Sequence, residues 1–215
     1  SMYFPKDEEN NKLRFSTLAS AALMNLMSRQ RDAFGLTTFD SAIRYHGLSK
    51  SKSSHFHMLL NKLEENLNAD KLNKETSAVK VLHEIADSIP RRSLVIIFSD
   101  MLENPENLQP MLSALQHLKH NKHEVILFHV VDEAKELDFD FENRPYQFID
   151  METGDQVKLR SNQVKAYYKE KMHAFQQEVY LKCLQYKIDY VKADINKGFK
   201  PILQSFLVKR SKMRV

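Results

Sequence analysis

Ser93-Leu94-Val95-Ile96-Ile97-Phe98-Ser99-Asp100 is the stretch on which the fold turns. Its apolar core, Leu94 to Phe98, is rich in β-branched side chains. It lies between Pro90-Arg91-Arg92 and a polar turn, Glu103-Asn104-Pro105-Glu106-Asn107. A continuous apolar run of this kind, with no polar alternation, predicts a strand buried on both faces. The run ends in Ser99-Asp100, which places a carboxylate where the strand leaves the sheet. In open α/β sheets ligands bind at that carboxyl edge, so Asp100 is the first candidate functional residue.

Working outward, strands and helices alternate. Residues 12–30 carry a helical stripe of Leu13, Thr17, Ala21, Met24 and Met27, and residues 33–39 read as a strand closing on Asp40. Ser41 to His46 adds a short edge strand. The polar loop Ser49–Ser54 then leads into a helix with Phe56, Leu59, Leu60, Leu63 and Leu67, for which Ser53 or Ser54 is the expected N-cap. After a turn near Asn68–Asn73, Ala78 to Ile89 forms a helix that Pro90 stops. Beyond the central strand, a helix opens near Asn107, with Pro110 tolerated in its first turn. Glu124 to Val131 is a second apolar strand, ending at Asp132.

Asp138 to Arg144 reads as an acidic, aromatic loop, and 147–151 and 156–159, around Glu152-Thr153-Gly154-Asp155, as an inserted β-hairpin. A long helix from Ser161 to Tyr186, a strand from Ile188 to Ala193 ending at Asp194, and a helix from Phe199 to Val208 complete the chain. The alternation predicts one α/β domain over residues 1–215: a Rossmann-like, doubly wound, mostly parallel sheet with helices on both faces. Such a sheet normally opens on a buried central strand, whereas this chain opens on a helix. The first strand is therefore expected upstream of Ser1.

Composition narrows the function classes. Apolar residues are 42% and charged residues 28%, as in a soluble globular domain. Four glycines and no G-x-G-x-x-G or P-loop pattern argue against a phosphate cradle. The single cysteine, Cys183, excludes an intrachain disulfide and fits a reducing, cytoplasmic location. No apolar run is long enough to span a membrane, and no signal peptide is visible. The net charge is +4, but the basic residues are interspersed with acids, so no nucleic-acid partner is expected.

Four strands end in aspartate: Asp40, Asp100, Asp132 and Asp194. Parallel strands gather such residues at one edge, where carboxylates suit Mg²⁺ or Mn²⁺; the plainer reading is that each caps the turn that follows. His117, His120 and His123 belong to the opposite edge and lack a matching cysteine or second cluster, so they do not make a zinc site. His129 sits inside an apolar strand and reads as a satisfied core histidine. Ser99 has no G-x-S-x-G elbow and Cys183 is mid-helix on an apolar face, so neither reads as a nucleophile.

Two runs, Lys12-Leu-Arg-Phe-Ser-Thr-Leu-Ala-Ser-Ala-Ala-Leu23 and Gln30-Arg-Asp-Ala-Phe-Gly35-Leu-Thr-Thr-Phe39-Asp40, resemble the opening of the bacterial von Willebrand factor A-like family catalogued as domain of unknown function 58. Phe98-Ser-Asp100, Lys122-His-Glu-Val125, Ile149-Asp-Met-Glu-Thr-Gly154 and Ile188-Asp-Tyr-Val191 match its later landmarks in order. The resemblance implies a metal-ion-dependent adhesion site holding Mg²⁺ or Mn²⁺. Asp100 matches its third element, Ser54 (or Ser53) its second, and Ser1 of Ser1-Met2 the last serine of its D-x-S-x-S motif, whose aspartate is absent from the chain. It further implies a non-catalytic binding module. A protein partner would offer an Asp or Glu to the metal, and a MoxR-type AAA+ ATPase would be the associated machine in a chaperone-like or assembly role. The alternative is a metal-dependent nuclease built from the strand-end aspartates; a third reading is a surface-binding domain with a vestigial metal site.

Overall fold

A computed structural model describes residues 1–5, 10–40, 42–68, 78–102, 108–140, 145–149 and 156–213. The turns expected at 103–107 and 152–155, and most of that at 68–73, lie outside these residues. In order the elements are α1 (Lys12–Arg29), β1 (Phe34–Phe39), β2 (Ile43–Lys50), α2 (Ser53–Asn68), α3 (Ala78–Ser88) and β3 (Leu94–Ser99). Then come α4 (Leu108–His120), β4 (Glu124–Val131), β5 (Pro145–Ile149), β6 (Gln156–Arg160), α5 (Ser161–Gln185), β7 (Asp189–Asp194) and α6 (Lys200–Met213).

The expected parallel sheet is present as β3-β4-β7, with Leu94 opposite Glu124 and Ser99 opposite His129 on one side of β4, and Ile126 opposite Asp189 on the other. β4 is central, and its alternation assigns its two faces to two cores. Val125 and Leu127 pack with Leu82, Met111, Leu112, Leu115 and Cys183 beneath α3, α4 and α5. Ile126, Phe128 and Val130 pack with Phe15, Leu23, Ile202 and Phe206 of α1 and α6. Helices thus cover both faces, as a parallel sheet requires. The antiparallel pairs β1-β2 and β5-β6 stand apart from this sheet. In β1 a bulge at Gly35 brings the backbone so close to β2 that an added Cβ would lie 2.3 Å from the Gly47 carbonyl oxygen.

Three expectations are corrected. The strand read as buried on both faces, β3, is among the described residues an edge of its sheet: of its apolar residues only Ile97 is buried, whereas β4 is buried from Val125 onward. The reason is lateral. An apolar run encodes two covered faces and carries no information on whether a neighbour pairs with each edge. β2 runs to Lys50, beyond the expected His46, and takes in Ser49 and Lys50 of the polar loop. Neither Ser53 nor Ser54 caps α2; both lie within it, and the Lys52 carbonyl receives the amides of His55 and Phe56.

Beside β3 is a cavity of about 900 Å³. It is lined by residues of β1 and β3, by Leu13, Ser16, Thr17 and Ser20 of α1, and by Ser1, Met2, Tyr3 and Asp100. Among the described residues β1 pairs only with β2 and β3 only with β4, so two strand edges face one space.

Candidate functional site at the carboxyl edge of the sheet

β3 ends in a tight turn. The Ser99 hydroxyl accepts the Met101 amide at 3.0 Å, Met101 adopts φ 55°, and Asp100 Oδ1 accepts the Leu102 amide at 3.3 Å. The turn buries Asp100, which is 4% exposed, and aims its carboxylate at the start of α1. There Asn11 caps the helix by accepting the Arg14 amide at 2.9 Å, and Lys12 is its first residue. Lys12 is fully buried. Its Nζ donates to Asp100 Oδ2 at 2.8 Å and to Glu136 Oε1 at 2.6 Å. Glu136 belongs to a single π turn, Glu133–Leu137, that follows β4, and its Oε2 accepts the Asp132 amide at 2.9 Å.

One ammonium thus serves two buried carboxylates. Burial pushes the Asp100 carboxyl up, but the Lys12 ammonium and hydrogen bonds from Lys12 and Ser1 outweigh it and hold the group below its ordinary range. At Glu136 burial prevails over Lys12, and the pKa is raised. Burial alone would lower Lys12; the two carboxylates reverse that and raise it. Asp100 is therefore the firmly ionised partner and Glu136 the one that takes a proton first. His129, as read from the sequence, is a satisfied core residue: Nε2 lies 2.9 Å from the Asp100 carbonyl and Nδ1 2.7 Å from the Tyr190 hydroxyl.

The other strand-end aspartates have local partners. Asp132 Oδ1 accepts the Lys135 amide at 3.2 Å and caps the π turn, and Asp194 Oδ1 accepts the Asn196 amide at 3.1 Å and caps a 3-10 turn, Ile195–Lys197. The Asn196 side chain ties the two together, donating to Asp132 at 3.1 Å and Asp194 at 3.3 Å. Glu133 takes Lys192 and Lys197; their hydrogen bonds, against the opposing effect of burial, hold it down to about 2. Asp40, at the end of β1, pairs with Arg44 at 2.7 Å.

Of the three expected metal ligands, the fold brings two together: Ser1 and Asp100 line the same cavity, and Ser1 hydrogen-bonds Asp100. Ser54 is exposed in the first turn of α2 and does not line that cavity. A hard divalent ion needs six or more oxygens with charge to match. Here two carboxylates, Asp100 and Glu136, converge, but both already hold the Lys12 ammonium, and no group of three His, Cys, Asp or Glu that could hold a metal occurs among the described residues. With Lys12 in place, these residues do not fit the metal. Sequence reading missed Lys12 and Glu136 as site residues. Lys12 carried a signal, a lysine at the first position of an otherwise apolar helix stripe; Glu136 carried none.

A family model described as "Protein of unknown function DUF58" matches residues 1–178. No curated protein matches the chain. Among solved structures, the conserved hypothetical protein BatB from Bacteroides thetaiotaomicron is similar at 14% identity and TM-score 0.55, over 97% of this chain and 91% of that one. An aerotolerance-related membrane protein from Bacteroides fragilis NCTC 9343, bearing multiple mutations to serines, is similar at 16% identity and TM-score 0.53, over 93% and 90%. At these identities the likeness concerns the fold. No helix among the described residues of this chain is long and apolar enough to cross a membrane.

Proposed function

Taking as premise that the chain belongs to the DUF58 family of proteins of unknown function, we propose that it is a non-catalytic protein-interaction module of von Willebrand factor A type. Its recognition face is the carboxyl edge of the sheet. The observation that carries this reading is the state of the strand-end acids. Asp100 is neutralised by Lys12, Asp132 and Asp194 cap turns and share Asn196, and Asp40 pairs with Arg44. Two-metal hydrolysis needs several carboxylates converging on open positions. These acids are spent on structure, which favours binding over the nuclease alternative.

The von Willebrand factor A assignment rests on the strand edges that β1 and β3 leave unpaired among the described residues. In that fold a central strand stands between the elements that β1 and β3 represent, and the cavity of about 900 Å³ separates them here. A strand leading into Ser1 from upstream would run through it parallel to β3, and its end would reach Asp100. The partner presents a carboxylate to this face, and a MoxR-type AAA+ ATPase in a chaperone-like or assembly role is the candidate, on the resemblance alone.

Two assays decide between the readings. Incubation with plasmid DNA and Mg²⁺ or Mn²⁺ leaves the DNA intact; cleavage that Asp100→Asn abolishes would establish the nuclease. Calorimetric titration of an upstream-extended chain with a MoxR-type ATPase gives binding that a charge-reversing Lys197→Glu at the same edge weakens. Absence of binding removes the ATPase from the proposal.

A further inference from the structure

The mismatch between Asp100 and a metal site has a specific cause, and we infer that Lys12 is the resident cation of this centre: its ammonium occupies the position between Asp100 and Glu136 that a divalent ion would take, so that the two are mutually exclusive. This inference concerns the chain's own residues and does not rest on the partner reading.

Lys12 is costly where it stands. It is fully buried, and it is the first residue of α1, where the helix dipole is positive and repels a cation. The first turn of α1 contains no acid to offset this. A buried charge of this kind is seldom retained for stability, since an apolar residue of similar volume is often as good. What compensates it is a purpose-shaped pair of acceptors: Asp100 Oδ2 at 2.8 Å and Glu136 Oε1 at 2.6 Å, from two different strand ends. The second oxygens of both carboxylates are occupied by the Leu102 and Asp132 amides, which fixes the direction in which the first oxygens point. Both carboxylates therefore aim at one point, and Nζ is at that point.

A Mg²⁺ or Mn²⁺ ion at the same point would draw both carboxylates in, to contacts of about 2.1 Å in place of 2.8 and 2.6 Å. It cannot share Asp100 Oδ2 with the ammonium, because two cations on one buried oxygen repel strongly in a medium this poor in water. Electrostatic balance points the same way. One ammonium leaves two carboxylates with a residual negative charge, and a divalent ion would neutralise both. The lysine is thus the cation this chain carries with it, and its removal uncovers a hard-cation site of two carboxylates.

The test is Mn²⁺ binding followed by electron paramagnetic resonance of the free ion, on the full chain as wild type, Lys12→Met, and Lys12→Met/Asp100→Asn. Methionine keeps the length of the lysine stem without its charge. The wild type should leave Mn²⁺ free at millimolar concentration. Lys12→Met should bind one ion at least about tenfold more tightly than the wild type, and the double variant should lose it. Wild-type binding that Asp100→Asn abolishes would overturn the inference, as would a Lys12→Met protein that is folded by circular dichroism and binds nothing. A second measurement needs no variant: reductive methylation of the wild type, read by mass spectrometry. Exposed Lys80 and Lys197 should label quickly and Lys12 slowly, with or without Mn²⁺. Acceleration of Lys12 labelling by Mn²⁺ would mean that the metal displaces the ammonium in the native chain, and would refute the standing of Lys12 as the resident cation.

Discussion

Acidification should destabilise this fold through His129. The imidazole is 1% exposed and sits at the middle strand, between the Asp100 carbonyl and the Tyr190 hydroxyl. A carbonyl only accepts, so Nε2 carries the proton and donates to Asp100, and Nδ1 is left to accept from the tyrosine. Burial pushes the pKa from 6.5 down to about 4, with the Asp100 carbonyl and carboxylate pulling weakly the other way. Between those two values the unfolded chain binds a proton that the folded chain refuses. Stability is therefore full above about pH 6.5 and is lost as pH falls toward 4. At about 1.4 kcal/mol per pH unit the gap amounts to about 3 kcal/mol. For a chain of this size that lowers Tm by roughly 6–12 °C.

The assay is urea denaturation followed by circular dichroism between about pH 7.5 and pH 4.5, on wild type and His129→Gln. Glutamine keeps a donor and an acceptor but does not titrate. His123, also pushed down by burial, is present in both proteins and cancels in the comparison. Glu133 acts in a separate window: its depressed pKa of about 2 contributes stability above about 4.5 that is lost only below it. Over this range the wild-type curve should fall by about 2.5 kcal/mol more than that of the variant. Parallel curves would refute the argument, because the proton uptake would then belong to other groups.

Three further outcomes are expected. Phe128→Ala removes a fully buried ring stacked on Phe98 at 5.0 Å, and calorimetry should show a loss of about 3–5 kcal/mol. Asn196→Ala deprives the neighbouring Asp132 and Asp194 carboxylates of their shared donor, and denaturant titration should show a loss of about 1–3 kcal/mol, more than a cap serving one acid would give. The Cys183 thiol, which burial pushes up to about 12, should not react with a disulfide reagent in the native protein at pH 8 and should react within seconds once unfolded in guanidinium.

The elements were legible because periodicity is local. The stripe Leu108, Met111, Leu112, Leu115 and Leu118 declares α4 without reference to anything else, and all of these residues are buried. Val125 to Val131 and Leu94 to Phe98 declare strands for the same reason. What separates them is invisible at that range. Both runs are apolar, yet among the described residues β4 has a strand on each side and β3 on only one. Pairing is a relation between distant segments, and no residue in β3 states whether its outer edge has a neighbour. The capping role of Asp132 and Asp194 was one of two open readings, and the local hydrogen bonds to the next turn are what such a residue makes anyway.

The centre at Asp100 was half legible for a related reason. A carboxylate after a buried strand can be read from eight consecutive residues, but its partners are Lys12, 88 residues upstream, and, through Lys12, Glu136 beyond the next strand. Read singly, Lys12 is a helix-opening lysine and Glu136 an ordinary surface acid in a polar stretch. Only the parallel sheet, by bringing the ends of β3 and β4 to one edge under the start of α1, turns them into a buried triad. The same convergence makes the sequence-level inference from aspartate to metal incomplete. A strand-end carboxylate in a covered site must be neutralised, and the sequence names the anion without naming the cation. Either a divalent ion or a lysine meets that demand, and in this chain the lysine is 2.8 Å away.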